Sequence, residues 1–193
     1  MALFQNKYRT QSIRFGGYDY SAEGFYFVTV CAKGRICCFG DVRNGELNLN
    51  EVGKEAQKEW LRTGEIRRNV LLDEFIVMPD HVHGIICIQY QIKSSDSASE
   101  ETHCSASLRR PDNAHQNKFG PQSNNLSSII RGFKSAATKT IHLKFPAAHF
   151  AWQSGFYDRI IRNEAELNKI REYVINNPAK WAERTSEQFG LWT

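Results

Sequence analysis

The sequence predicts an α+β fold: a ferredoxin-like or RRM-like antiparallel sheet with helices packed on one face and an added C-terminal helix. Three observations predict it. Strand-like and helix-like segments follow one another in the order β, α, β-β, α, β, α, as two strand–helix–strand halves. The 193 residues are 41% apolar, enough to bury a core in one domain spanning 1–193. The stretch 94–125 is rich in Ser, Asn, Gln, Glu and His and nearly free of large apolar side chains, so it reads as a flexible insertion rather than a second domain.

Residues 1–24 carry Lys7, Tyr8, Arg9, Arg14, Tyr18 and Tyr20 and read as an irregular basic arm. Phe25 to Cys31 is β-branched and aromatic and predicts the first strand. A further extended piece is expected at Cys37 to Phe39. Asn44-Gly45, followed by Leu47 and Leu49 in alternation, predicts a hairpin. Residues 51–66 read as a helix capped by Asn50, with Val52, Ala56 and Trp60 on one face. Val70 to Met78 and His81 to Tyr90 are strand-like, and Pro79-Asp80 between them leaves room only for antiparallel pairing. Leu126, Ile129, Ile130, Phe133, Ala137 and Ile141 follow helical spacing. Phe156 to Ile161 reads as a short strand. Asn163, with Glu166 three residues on, opens a helix whose buried stripe is Leu167, Ile170 and Val174. Pro178 either ends that helix or begins a short further one.

The longest apolar runs, Phe25 to Ala32 and Ile85 to Ile88, are far too short to span a bilayer. The N-terminus lacks a signal-peptide core, so no membrane association and a cytoplasmic location are expected. The five cysteines, Cys31, Cys37, Cys38, Cys87 and Cys104, form no C-x-x-C pair, which argues against a structural zinc knuckle. The formal net charge of +4 permits nucleic acid without requiring it.

The chemistry concentrates in His81-Val82-His83 and Tyr173. Residues two apart on a strand point to the same face, so both imidazoles can reach one divalent ion. On spacing alone the pair is also open to being two unliganded histidines, although an otherwise apolar strand gives two ionisable rings little reason to be there. Tyr173 beside Ile170 and Val174 reads as core-edge packing or as a nucleophile. Asn177 lies one turn further along the same helical face. It reads as a plain residue before proline or as an amide oxygen ligand suited to Mg²⁺ or Mn²⁺. Arg131, Lys134, Lys139 and Lys144 give the 126–144 helix a charged side, either solvated or facing a nucleic-acid backbone. Trp152, before Gln153, reads as a core ring or a base-stacking one.

Four stretches together resemble a known family: Phe75 to Ile86 around Pro79-Asp-His-Val-His83, Leu126 to Lys134, Trp152 to Asp158, and Glu172 to Pro178. They are similar to the REP-associated tyrosine transposases, which belong to the single-tyrosine His-hydrophobic-His (HUH) superfamily. Arg14 to Tyr20 also resembles the start of that family. The resemblance implies single-stranded DNA with hairpin elements, Mg²⁺ or Mn²⁺, and a 5′-phosphotyrosine intermediate. It implies that His81, His83 and Asn177 hold the metal and that Tyr173 is the nucleophile. Arg14, Arg131, Lys134, Trp152, Gln153 and Arg159 are the DNA-contact candidates. A monomer or a homodimer is expected. Two other readings stay open, a water-using metal phosphodiesterase and a nucleic-acid-binding RRM-like module without catalysis.

Overall fold

The computed structural model describes residues 18–90 and 124–181, together with the backbone of two short paired strands upstream, β1 (Leu3–Phe4) and β2 (Tyr8–Arg9). Arg14 and residues 94–123 of the predicted insertion lie outside the described residues. Then follow β3 (Gly24–Cys31), β4 (Gly40–Arg43), β5 (Glu46–Leu49), α1 (Glu51–Glu65), β6 (Val70–Met78), β7 (His81–Ile88), α2 (Leu126–Lys144), β8 (Tyr157–Ile161) and α3 (Glu164–Ile175).

Four of these strands form the main sheet in the order β6-β7-β3-β8, with every pairing antiparallel. Strands β7 and β3 are therefore central, with a partner on each side. The alternation of β-strand side chains assigns their residues to two faces. Tyr26, Val28 and Val30 of β3 join Val82, Ile86 and Ile88 of β7 in one cluster with Trp60 of α1 and Ile129 and Phe133 of α2. Phe25, Ile85 and Cys87 point the other way and pack under Leu167, Ile170 and Val174 of α3. So α1 and α2 cover one face, and the added helix covers the other. Its footing is lighter. Beyond that apolar stripe, Arg171 reaches both Asp73 carboxylate oxygens on β6, at 2.8 Å and 2.5 Å.

Gly84 sits between Val82 and Ile86 on the α1 side of β7. A Cβ built there would lie 2.2 Å from Cζ2 of Trp60, so glycine is what lets the indole lie flat against the central strand. Trp60 and Tyr26 are among the largest fully buried side chains.

The helix starts follow their caps. Asn50 Oδ1 accepts from Gly53 N at 2.9 Å, and Asn163 Oδ1 accepts from Glu166 N at 2.8 Å. Asn125 and Ser128 form a reciprocal capping box on α2, so Asn124 and Asn125 belong to the helix entry rather than to the insertion. The Asn44-Gly45 turn joins β4 to β5, with φ of 53° and 78°, the left-handed pair a tight hairpin requires. Cys37 to Phe39 is not a ladder strand. Phe39 N bonds Pro79 O, and Phe39 O accepts from Asn50 N, both at 3.0 Å. Its buried ring fixes that segment, and the strand begins only at Gly40. Pro178 begins a further helical turn over 177–181, where Lys180 N reaches Asn176 O. Among the described residues no helix is long and apolar enough to cross a membrane.

Candidate active site

Both histidines open β7 directly after the Pro79-Asp80 turn, and both are buried, 4% and 5% exposed. Register pairs Cys31 with His81 and Thr29 with His83. The Asp80 carboxylate can accept only from a His81 Nδ1–H, the tautomer that in a neutral ring leaves Nε2 with the lone pair. Thr29 Oγ1 lies 2.9 Å from His83 Nδ1. A hydroxyl that accepts there leaves His83 Nε2 unprotonated as well. The two Nε2 atoms are 2.9 Å apart. Two nitrogens at about 2.1 Å from a common octahedral ion and about 90° apart would stand about 3.0 Å from each other. The donor set therefore fits one divalent ion.

Tyr173 comes to this spot from α3. Its hydroxyl lies 3.3 Å from His83 Nε2, and its ring meets those of His83 and Phe27 edge-on. Asn177, 7% exposed, lines the same cavity of about 200 Å³ and offers an amide oxygen as a third donor. Among the described residues no three His, Cys, Asp or Glu side chains form a metal cluster, so any ion here depends on Asn177 and water to complete its shell. Lys180 Nζ stands 5.5 Å from the centre of the Tyr173 ring, and the Trp181 ring lies 5.9 Å from that of His81.

Burial first, then the neighbouring His81 and Arg35, push the His83 imidazole down from 6.5 to about 3. It is neutral at physiological pH, the form that ligates a metal. The sign of the linkage follows. Above 6.5 neither the folded nor the unfolded chain protonates this ring. Between 6.5 and 3 only the unfolded chain does, so folding stability falls as pH drops through that window. A loss of about 2 kcal/mol between pH 7.5 and pH 5 is expected from this group. Urea titrations at the two pH values measure it, and His83→Gln should remove this part of the difference.

The predicted residues divide into two places. His81, His83, Tyr173 and Asn177 share the cavity. Arg131, Lys134 and Trp152 do not. They line a separate groove beside α2, on the opposite side of the sheet. There Lys134 Nζ donates to Gln153 O at 2.5 Å and Gly155 O at 2.8 Å, and burial lowers its pKa. Trp152 Nε1 donates to Lys134 O at 3.1 Å, and its ring packs among Phe39, Phe133 and Phe150. Gln153 N is fastened to Cys31 O. Arg131 is exposed on the groove side of α2. Arg159 is exposed on β8 and paired with Glu166 at 2.6 Å.

Sequence reasoning treats Asp80 only as a turn residue and passes over Thr29, Arg35 and Lys180. The signal for Asp80 is its place directly before the first histidine, where a short carboxylate can turn back onto Nδ1. Asp80→Asn is expected to weaken Mn²⁺ binding about 10- to 100-fold by releasing the His81 tautomer. Calorimetric titration with Mn²⁺ measures this.

No protein-family model matches the chain. An uncharacterized protein of Haemophilus influenzae is 36% identical over 171 residues, covering 89% of each chain. Among solved structures, a REP-associated tyrosine transposase bound to a REP hairpin aligns with a TM-score of 0.54 at 17% identity, over 89% of this chain and 74% of that one. The chain belongs to one family with the Haemophilus influenzae protein, and its fold is that of the REP-associated tyrosine transposase.

Proposed function

We propose that the protein cleaves and rejoins single-stranded DNA through a 5′-phosphotyrosine intermediate, with Mg²⁺ or Mn²⁺ held by His81, His83 and Asn177. The observation that carries this is the meeting of the Tyr173 hydroxyl with His83 Nε2 at 3.3 Å, beside a second histidine nitrogen and a buried amide. The bound ion would supply Lewis-acid polarisation of the phosphate and charge stabilisation.

The chain's own residues do the rest. Asp80 and Thr29 hold the two rings through their Nδ1 atoms, so the Nε2 atoms stay directed into the cavity. α3 holds the phenol among Phe27 and His83, and only its oxygen needs to reach the substrate. Tyr173 Oη attacks phosphorus in line. The Oη–P bond forms and the P–O3′ bond breaks. The phenol proton is given up, and the departing 3′ oxygen is protonated to a 3′-OH. The phosphodiester energy stays in the protein–DNA bond, and attack by another 3′-OH transfers the strand. The reaching of Tyr173 to histidines of its own chain supports action in cis.

The hairpin carried by the structural neighbour supports hairpin-bearing single-stranded DNA as the substrate here. Exposed Arg131 and the net positive charge supply backbone attraction. An idle RRM-like module fits less well. RRM sheets stack bases on aromatic residues of their open face, whereas here α3 covers that face and Tyr26 points into the opposite core. The test is incubation with hairpin-bearing single-stranded DNA from beside the gene and Mn²⁺, followed by denaturing electrophoresis and mass spectrometry. A DNA–peptide adduct at Tyr173 supports the proposal. Metal-dependent cleavage without an adduct would replace it with a hydrolytic phosphodiesterase.

A further inference from the structure

Arg35 is the feature of this cavity that neither the sequence motifs nor the metal donor set absorbs. It closes the 3₁₀ turn Lys33–Arg35 that follows β3, and its backbone has φ of 57°, in the left-handed region. For a residue other than glycine that conformation costs about 1 kcal/mol or more. The turn is nonetheless pinned on three sides. Ala32 N bonds Asp80 O, Lys33 N bonds Ala151 O, and Arg35 N bonds Ala32 O.

The result is a guanidinium folded back over the cavity that His81, His83, Tyr173 and Asn177 also line. Arg35 Nε pairs with Asp80 Oδ2 at 2.8 Å, and Nη1 donates to Cys31 Sγ at 3.0 Å. A guanidinium has five N–H donors, and these contacts use one each, leaving three. Among the described residues Nη2 makes no hydrogen bond or ion pair, and the side chain is 50% exposed while its Asp80 partner is 5% exposed. The guanidinium is therefore held at Nε and Nη1, while half of the side chain stays exposed where it lines the cavity. A half-exposed ion pair contributes little to stability. Fold stability alone therefore does not account for a strained backbone that holds a cation beside the histidines. A planar fork with free donors, anchored from behind by a carboxylate, is suited to a phosphate group.

We propose that Arg35 is a catalytic residue that binds the non-bridging oxygens of the scissile phosphate, held by Asp80 Oδ2 while Asp80 Oδ1 holds His81. This rests on the strand-cleavage reading above. In this arrangement Asp80 links the cation that holds the phosphate to the imidazole that holds the metal.

The test is single-turnover adduct formation at saturating Mn²⁺, using hairpin DNA with either a phosphodiester or an uncharged methylphosphonate at the cleaved position. Arg35→Ala is expected to slow the phosphodiester about 100-fold, with Arg35→Lys recovering part of the rate. On methylphosphonate DNA the same variant should stay within about 3-fold of the unaltered protein, because the charge it would stabilise is gone. Equal slowing on both substrates overturns the proposal. So does recovery of Arg35→Ala when Mn²⁺ is raised well above the concentration that saturates the unaltered protein, which would make Arg35 a positioning residue acting through Asp80. If the unaltered protein forms no adduct, the strand-cleavage reading falls, and fluorescence anisotropy with the same oligonucleotide decides Arg35 separately. Binding about tenfold weaker in Arg35→Ala, with a shallower salt dependence, keeps the phosphate contact. Unchanged affinity overturns it.

Discussion

Tyr173→Phe is expected to abolish the protein–DNA adduct and to reduce strand cleavage by about 10⁴-fold or more, the scale on which removing a nucleophile acts. The substitution deletes a single oxygen. The ring keeps its edge-on contacts with Phe27 and His83, and His83 Nε2 keeps His81 Nε2 as a neighbour at 2.9 Å. Stability should therefore change by no more than about 1 kcal/mol, and Mn²⁺ binding should be nearly unchanged. That combination separates loss of chemistry from loss of structure. Denaturing electrophoresis reads the adduct, urea titration the stability, and calorimetry the metal. Retained metal-dependent cleavage in the variant would show that water, not the phenol, attacks.

Gly84→Ala is expected to destabilise the protein by about 3 kcal/mol, the upper range for overpacking a filled core. The added methyl would stand 2.2 Å from Cζ2 and 2.8 Å from Cη2 of Trp60, both ring atoms of a fully buried side chain with nowhere to swing. Relief has to come from α1 lifting or β7 bending. Because Gly84 directly follows His83, a bend there would also move the two imidazoles that line the cavity. Urea unfolding measures the stability, and a second substitution, Trp60→Leu, should restore part of it by vacating the contact. A change within about 0.5 kcal/mol, the level of an ordinary surface substitution, would mean the indole does not lie where the structure puts it.

Local chemistry explains which parts of this fold could be read in the sequence. The β-branched and aromatic run Phe25 to Cys31, the Asn44-Gly45 turn, the Asn50 and Asn163 caps and the Leu126 to Ile141 spacing each act within one element. The ferredoxin-like order follows once two strand–helix–strand halves are seen, and the sheet adopts it. Spacing alone pairs His81 with His83, two residues apart on a strand, and Tyr173 with Asn177, four apart on a helix; that the two pairs share one site was implied by the resemblance, and the four line one cavity.

What could not be read depends on tertiary partners. Asp80, Arg35 and Cys31 are brought together by the β3–β7 register, and Asp80 alone looks like a turn residue. Lys134 and Trp152 look like surface chemistry in one dimension. The bonds to Gln153 O and Gly155 O, and the cluster with Phe39, appear only when α2 and the 150–155 segment meet. The 37–39 segment reads as extended, but whether an extended piece joins a ladder depends on a partner that the sequence does not show.

The uneven packing of the two sheet faces has a mechanical consequence. α3 rests on three apolar side chains and the Arg171–Asp73 fork, while the opposite face is sealed by two helices and most of the core. Under the proposed chemistry, a strand joined to Tyr173 would be moored to the helix with the lightest footing, not to the sheet that carries the histidines. The tyrosine and its cargo can yield as a unit while the two histidines keep their places.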